Sequence, residues 1–342
     1  PATIGFAKSC GTSIEKLTRL VTNKGEWLVH KRNVPGVKAI DVIGSCIELA
    51  IQELPIAKRM RWGDGQHEFV RPVHWLVVIH GSKVIPCKVF DVSSGRISRG
   101  HKFMGPEKIS IPSSERYEKL LEQEGGVIAD FDKRASIIEK QISRLGSKAG
   151  GRTVIEPQLL ETVTALVEKP HAVIGSFDQQ FLKIPKEALI STMRDHQKYF
   201  HVVNKQGKLL PMFITVSNIK SISPTRVRRG NEKVLNARLS DARFFWDNDK
   251  KNTLDSRKKQ LTKVLFHHSL GSLADKISRL NLISVRIAKL LGIDGIPCSR
   301  AANLCKSDLL TGIVNEFPEL QGIAGQYLAK LDGEGQAVSL AI

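Results

Sequence analysis

Residues 185–218 read PKEALISTMRDHQKYFHVVNKQGKLLPMFITVSN, and residues 227–251 continue VRRGNEKVLNARLSDARFFWDNDKK. The reading of this stretch decides the fold. Ala188, Leu189, Ile190 and Met193 recur at helical spacing behind Pro185, a residue suited to a helix start, so a helix is expected over residues 186–197. Residues 199–203 are aromatic and β-branched, residues 204–207 carry turn chemistry, and residues 209–216 form a second apolar run. A helix therefore feeds a β-hairpin. At the junction Arg194, Asp195, His196, Gln197 and Lys198 form a polar wedge between apolar elements. Such a wedge either presents side chains to a partner or closes on itself as a hydrogen-bond network.

Working outward, residues 13–20 suggest a short helix, residues 26–31 a strand and residues 37–54 an amphipathic helix ending at Pro55. Strand patterns follow at 68–70, 75–80 and 84–90, with a turn at 81–83. Here Arg59, Arg61, Arg71 and His74 surround Trp62 and Trp75. Cations interleaved with aromatic rings suit RNA, although two core tryptophans with a solvated rim would read the same way. Residues 94–102, SGRISRGHK, form a basic glycine-containing loop that offers Arg99 and Lys102 to phosphate. Residues 114–121 and 132–145 are helical, and SKAGGRTV at 147–154 suggests a boundary. A helix at 159–167 and a strand at 172–175 lead into the opening stretch.

Beyond Leu235 helical periodicity dominates, with helices expected at 239–246, 254–265, 273–291, 301–314 and 320–331. The fold class is therefore α+β: a mixed first two thirds followed by an all-helical region. The expected division is residues 1–150, 151–234 and 235–342.

The chain has 342 residues and a net charge of +18, from 52 Lys and Arg against 34 Asp and Glu. So basic a surface favours polyanions, because each neutralised phosphate releases condensed counterions. The five cysteines form no CxxC pair, which argues for reduced thiols and against a zinc ribbon. No run is long and apolar enough to span a bilayer, and the opening PATIGFAKSC shows no signal peptide. Lacking an initial Met, the chain reads as a processed or partial one.

Among the basic residues, Arg226, Arg228, Arg229 and Lys233 flank Gly230–Asn231, where backbone could approach a phosphate closely. Arg238 and Arg243 continue the strip past Phe244, Phe245 and Trp246, a triplet more suited to core than to base stacking. Asp241 and Asp247 read as partners of neighbouring cations rather than as an acid–base pair. With Arg61, Arg71, Arg99, Lys102, Arg194 and Lys198, these are the candidate nucleic-acid contacts.

No catalytic engine is legible. There is no GxxxxGK[ST], no GxGxxG after a strand, no HExxH and no GxSxG. The HIGH and KMSKS signatures and a class II motif set are missing as well.

The long motifs carry a resemblance. LISTMRDHQKYF (189–200), LLPMFITVSN (209–218), GNEKVL (230–235) and LSDARFFWDNDKK (239–251) resemble the middle of the β subunit of bacterial-type glycyl-tRNA synthetase. MRWGDGQHEFVRPVHWLVVIHG (60–81), LVEKPHAVIGSFDQQFLKIPKE (166–187) and EFPELQGIAGQYLAKLDGE (316–334) extend the likeness to nearly the whole chain. The resemblance implies a tRNA-recognising subunit working with a separate class II α subunit in an α2β2 assembly. That subunit would supply the ATP- and Mg-dependent chemistry, so no cofactor and no catalytic residue is expected in this chain. It also implies family segments on both sides of this stretch, including an anticodon-binding region after Ile342. A cytoplasmic location is expected, or the stroma of a plastid if the source is a plant or alga.

The helical third is similar to an HD domain, in which His and Asp ligands hold a metal that activates water. Where related subunits read HDGE, this chain has Leu331–Asp332–Gly333–Glu334, and leucine cannot ligate a metal. His267, His268, Asp308 and Asp332 are the remaining set from which a site could be built. A degenerate HD-like domain without metal is expected. The alternatives are a metal-dependent nucleotide phosphohydrolase and a non-catalytic RNA-binding module.

Overall fold

The computed structural model describes residues 2–342; Pro1, the first residue of the expected 1–150 region, lies outside them. Two compact units emerge. Among the described residues one comprises 2–98 and Ser110–Glu115, the other Arg99–Ile109 and Arg116–Ile342. The division falls elsewhere than at 150 and 234. Helix Phe131–Lys148 cannot part from the residues after it, because Ile138 and Ile142 are buried with Leu159, Val163, Phe200, Val202 and Ile214.

The first unit is built of short pieces. Strands Thr18–Thr22 and Gly25–Val29 form an antiparallel hairpin, so the helix expected over 13–20 is replaced by one 3-10 turn, Ile14–Lys16, and a strand. The cause is legible afterwards: Thr18, Val21 and Thr22 are β-branched, and Gly25 with φ +125° opens the returning strand. Helix Ala39–Glu53 confirms the 37–54 reading. The expected strand 75–80 divides into Leu76–Val77 and Ile79–His80. Part of the supposed loop 94–102 is strand, since Val92–Gly95 pairs parallel with Leu76–Val77 and antiparallel with Lys88–Val89.

The second unit is organised by a four-stranded antiparallel sheet in the order Arg152–Thr153, Phe200–Val203, Leu209–Ser217, His171–Ser176. The expected hairpin is present. Its turn is closed by Asn204, whose Oδ1 accepts from the amides of Gln206 and Lys208, and by Gly207 at φ +75°. One sheet face is covered by helices Phe131–Lys148 and Pro157–Leu166. The other presents Phe213 to a larger core containing Leu189, Met193, Leu235, Leu239, Trp246, Ile313, Phe317 and Leu328.

That core runs from Phe177 to Val338, so the last third is no self-contained helical domain. The link is helix Pro224–Asp249, whose 26 residues straddle the expected 234/235 boundary. Leu235, Leu239, Ala242 and Trp246 lie on one side of it, as a 3.6-residue period requires. The expected helix 254–265 breaks up instead: Leu254–Arg257 is helical, Lys258–Lys263 tightens to 3-10, and Leu265–His267 pairs as a strand with Gly271–Ser272. Helices Leu273–Leu290, Gly295–Leu304, Gly312–Glu316, Ile323–Leu331 and Gln336–Ala341 complete the region. No described helix is long and apolar enough to cross a membrane.

Candidate nucleic-acid interface

The opening helix does not continue regularly to Gln197. It is α-helical over Lys186–Ser191 and widens to a π-turn over Thr192–His196, closed by the Gln197 amide donating to Thr192 O at 3.3 Å. Lys198 then takes φ +59°, a left-handed conformation costly for a residue with a Cβ. Widened turns of this kind concentrate at functional sites.

The junction is an internal network. Arg194 donates Nε and Nη2 to the two Asp195 carboxylate oxygens, each at 2.8 Å, and Nη1 to Glu156 at 3.2 Å. The hydrogen bonds that Arg194 donates to Asp195 raise the guanidinium's pKa and hold the Asp195 carboxyl below its ordinary value. Lys198 Nζ donates to the Asp195 carbonyl at 2.8 Å. Arg194, a candidate phosphate contact, is therefore committed to carboxylates. A phosphate reaching it would meet two carboxylates already bonded to the guanidinium.

Beside the network lies a cavity of about 390 Å3 whose walls include Glu156, Glu187, Arg194, His201 and Glu319. Ser191 Oγ reaches Asp195 Oδ2 at 3.1 Å and also contacts Glu319. His201 is only 5% exposed, and burial lowers its pKa, so the imidazole is held neutral. Sequence reasoning missed this group. Its members come from segments as far apart as residues 156 and 319, and no local spacing announces them.

The long helix carries the free positive charge. Arg226, Arg229 and Lys233 follow one another at i, i+3 and i+7, opposite the buried leucines, and all three are exposed. Among the described residues none of the three makes an ion pair. Phe244, 63% exposed, lies on the same line, about 27 Å from Arg226 at 1.5 Å per residue. Trp246 alone of the aromatic triplet is fully core, with Phe245 packed partly against it. Arg238 is exposed on the flank. Arg228 approaches Glu232 at 3.8 Å, while Arg243 pairs with Asp247 at 3.4 Å and donates to Gln180. Asp247 also binds Lys250 at 2.7 Å, the pairing role expected of it.

Gly230–Asn231 is no phosphate loop. Both residues are mid-helix, where the backbone amides serve the i→i−4 ladder. Asn231 instead accepts the Tyr199 hydroxyl at 2.6 Å, and Glu232 Oε1 accepts the Ser176 amide at 3.0 Å. The GNEKVL motif thus ties helix to sheet.

The Arg99–Lys102 loop is similarly occupied. Gly100 N donates to Pro106 O and His101 N to Gly125 O at 2.7 Å. A Cβ on Gly100 would meet Gly125 O at 2.8 Å, so its glycine serves close backbone packing. Lys102 remains exposed, its ammonium 5.7 Å from the Phe103 ring centroid. In the other unit Arg61 is exposed on its short strand, donating to Gln66 Oε1 at 3.3 Å, and Arg71 is exposed just after Glu68–Phe69. Arg226, Arg228, Arg229, Lys233, Arg238 and Arg243 therefore share one helix, on which Arg228 and Arg243 have acidic partners, while Lys102, Arg194 and Lys198 lie on other segments of the same unit.

The phosphohydrolase alternative fails on geometry. Asp308 is fully buried, its Oδ2 accepting the amides of Gly322 and Gly325 at 2.5 and 3.3 Å. Asp332 Oδ2 accepts Leu254 N at 2.7 Å, while His267 Nδ1 accepts Ser269 N at 3.1 Å. Leu331, at 61% exposure, simply ends its helix. Both aspartates cap backbone, and among the described residues no three His, Cys, Asp or Glu side chains are grouped to hold a metal.

Comparison with known proteins agrees with the long motifs. Residues 1–342 match the protein family described as "Glycyl-tRNA synthetase beta subunit". The glycine–tRNA ligase beta subunit of Chromohalobacter salexigens is 46% identical over 338 residues, covering 99% of this chain and 49% of the relative. That of Hahella chejuensis is 44% identical over 337 residues, 98% of this chain and 49% of the relative. That of Marinobacter nauticus is 44% identical over 342 residues, all of this chain and 49% of the relative. The chain thus spans about half the length of the curated relatives it matches, and it belongs to the glycyl-tRNA synthetase beta subunit family.

Proposed function

We propose that this chain is the RNA-holding part of a glycine–tRNA ligase β subunit. It positions glycine tRNA for a class II α subunit that forms glycyl-tRNA from glycine and ATP, in an α2β2 assembly in the cytoplasm or a plastid stroma. ATP and Mg belong to the α subunit, and this chain contributes no catalytic group. The observation that carries the reading is the outward row Arg226, Arg229 and Lys233 on a helix whose other side is locked into the core. Three unpaired cations on a rigid rod meet successive phosphates without first breaking internal ion pairs. Arg238 on the same helix and Lys102 elsewhere in its unit add exposed cations, and Arg61 and Arg71 are exposed in the other unit. Arg228, Arg243 and Lys198 contribute less, because each is partly engaged by its own neighbours.

Two measurements test it. Glycine charging by the α partner should require the full-length version of this subunit. Charging indifferent to it would reduce the chain to an RNA-binding module with no part in the reaction. Reversing Arg226 and Arg229 to Glu should weaken tRNA binding and flatten its salt dependence by about one to two units of log–log slope. An unchanged slope places the RNA elsewhere.

A further inference from the structure

Strand His171–Ser176 is an edge of the four-stranded sheet, bonded only to Leu209–Ser217. Phe177 N donates inward to Pro211 O at 3.1 Å, so in an antiparallel ladder residues 172, 174 and 176 turn both N–H and C=O to the open side. Exposed strand edges are ordinarily covered. Two of these three positions are covered by side chains from different helices: Gln141 Oε1 accepts Ala172 N at 2.7 Å, and Glu232 Oε1 accepts Ser176 N at 3.0 Å. Ile174 lies between them with its N–H and C=O directed outward.

Ile174 opens into a cleft of about 350 Å3. Leu145 and Met212 form apolar walls, with Lys148 at the end of helix Phe131–Lys148 and Arg228 on helix Pro224–Asp249. Arg228 is steadied by Glu232 at 3.8 Å. The volume is at the small end of the range of about 300–1,000 Å3 for ligand pockets.

We infer that this cleft receives one unpaired nucleotide of the bound RNA. Its base lies against Leu145 and Met212 with its hydrogen-bonding edge on Ile174 N–H and C=O, and its phosphate sits between Lys148 and Arg228. The inference rests on the RNA-binding reading and assigns it a specific subsite. Each nucleobase presents a donor beside an acceptor, which one outward-facing residue of a strand can satisfy as a pair. A polypeptide strand needs several outward positions in succession, and the caps on Ala172 and Ser176 leave an opening one residue wide. Lys148 and Arg228 against the single Glu232 carboxylate leave the lining net positive, which favours a phosphate-bearing guest over a neutral one.

The test is fluorescence anisotropy with a short single-stranded RNA and the same strand made abasic, using the chain itself. The base-bearing strand should bind about tenfold more tightly, the scale of one base stacked on a protein surface. Ile174→Pro removes the outward N–H without touching the ladder and should erase that preference while keeping the affinity for abasic RNA. Met212→Trp, which fills the cleft, should do the same, and its melting curve reports whether it is folded. Wild-type protein that binds both strands equally overturns the cleft assignment and leaves the RNA-binding reading standing. Protein that binds neither strand overturns both. A preference that survives in folded Met212→Trp places the base elsewhere.

Discussion

Two helices of this chain invert the usual relation between apolar content and burial. Helix Ala39–Glu53, AIDVIGSCIELAIQE, has three acidic residues and no basic ones, yet it buries no residue. Helix Pro224–Asp249 is crowded with arginine, lysine and aspartate, yet it buries Leu235, Leu239, Ala242, Trp246 and Asp249. An apolar stripe states what a helix can bury, and only the elements around it decide whether it does. In the long helix four apolar side chains suffice, because the sheet and the helices packed around it contribute the other walls of the core. The charged remainder is then free to face a polyanion.

The contrast can be broken most directly at Asp249. Its carboxylate accepts the amides of Gly312 and Ile313 at 2.9 and 2.8 Å and lies 3.6 Å from the buried Arg257 guanidinium. Asp249→Ala should cost about 3–5 kcal/mol in urea unfolding, since it strands a buried cation and two amides. A loss within the scatter of surface mutations would mean that the long helix is not anchored there.

Next in size is a paired truncation. Leu239→Ala should cost about 2–5 kcal/mol, because the side chain is wholly enclosed. Leu49→Ala, on the other helix at 58% exposure, should stay within about 0.5 kcal/mol. Equal losses would show that helix Ala39–Glu53 is covered in solution and would end the comparison.

A smaller effect separates local from tertiary stabilisation. Helix Leu273–Leu290 begins with a reciprocal cap, Ser272 accepting the Asp275 amide and Asp275 accepting the Ser272 amide at 2.7 Å. Ser272→Ala should cost about 1 kcal/mol by the same unfolding measurement. A cost several times larger would place Ser272 in a tertiary contact.

The gentlest is a slope with pH. Burial lowers the folded-state pKa of His201 below the ordinary 6.5, so the unfolded chain binds its proton first as pH falls. The contribution of His201 is complete above 6.5 and declines from there toward the lower folded value. His201→Gln should flatten the urea midpoint across that window, and an unflattened profile would assign the slope to other groups. Asp195 and Asp247, held below their ordinary 3.8, act in a separate window at lower pH.

Local order was readable wherever chemistry between near neighbours decides it. Pro185, the β-branched run through Val203, Asn204 with Gly207, and the alternation after Leu209 specify helix, strand, turn and strand without help from elsewhere. The family was readable for a related reason, since long motifs survive intact along one dimension. Elsewhere the periodicity did not show the partner that each segment found. Leu265–His267 became a strand because Gly271–Ser272 lay ready to pair with it. Gly230–Asn231 became helix interior because Asn231 and Glu232 reach across to Tyr199 and Ser176. Arg194 is bonded to carboxylates because Glu156 arrives from 38 residues away.

The sequence by itself determined the α+β character, the opening hairpin, the basic charge and the family, all of which depend on composition, periodicity or motifs. Tertiary structure alone decided which cations stay unpaired, which strand edge stays open at Ile174 and where the compact units divide. Those outcomes depend on which distant groups come within a few ångströms, and hydrogen bonding and burial act over that range alone.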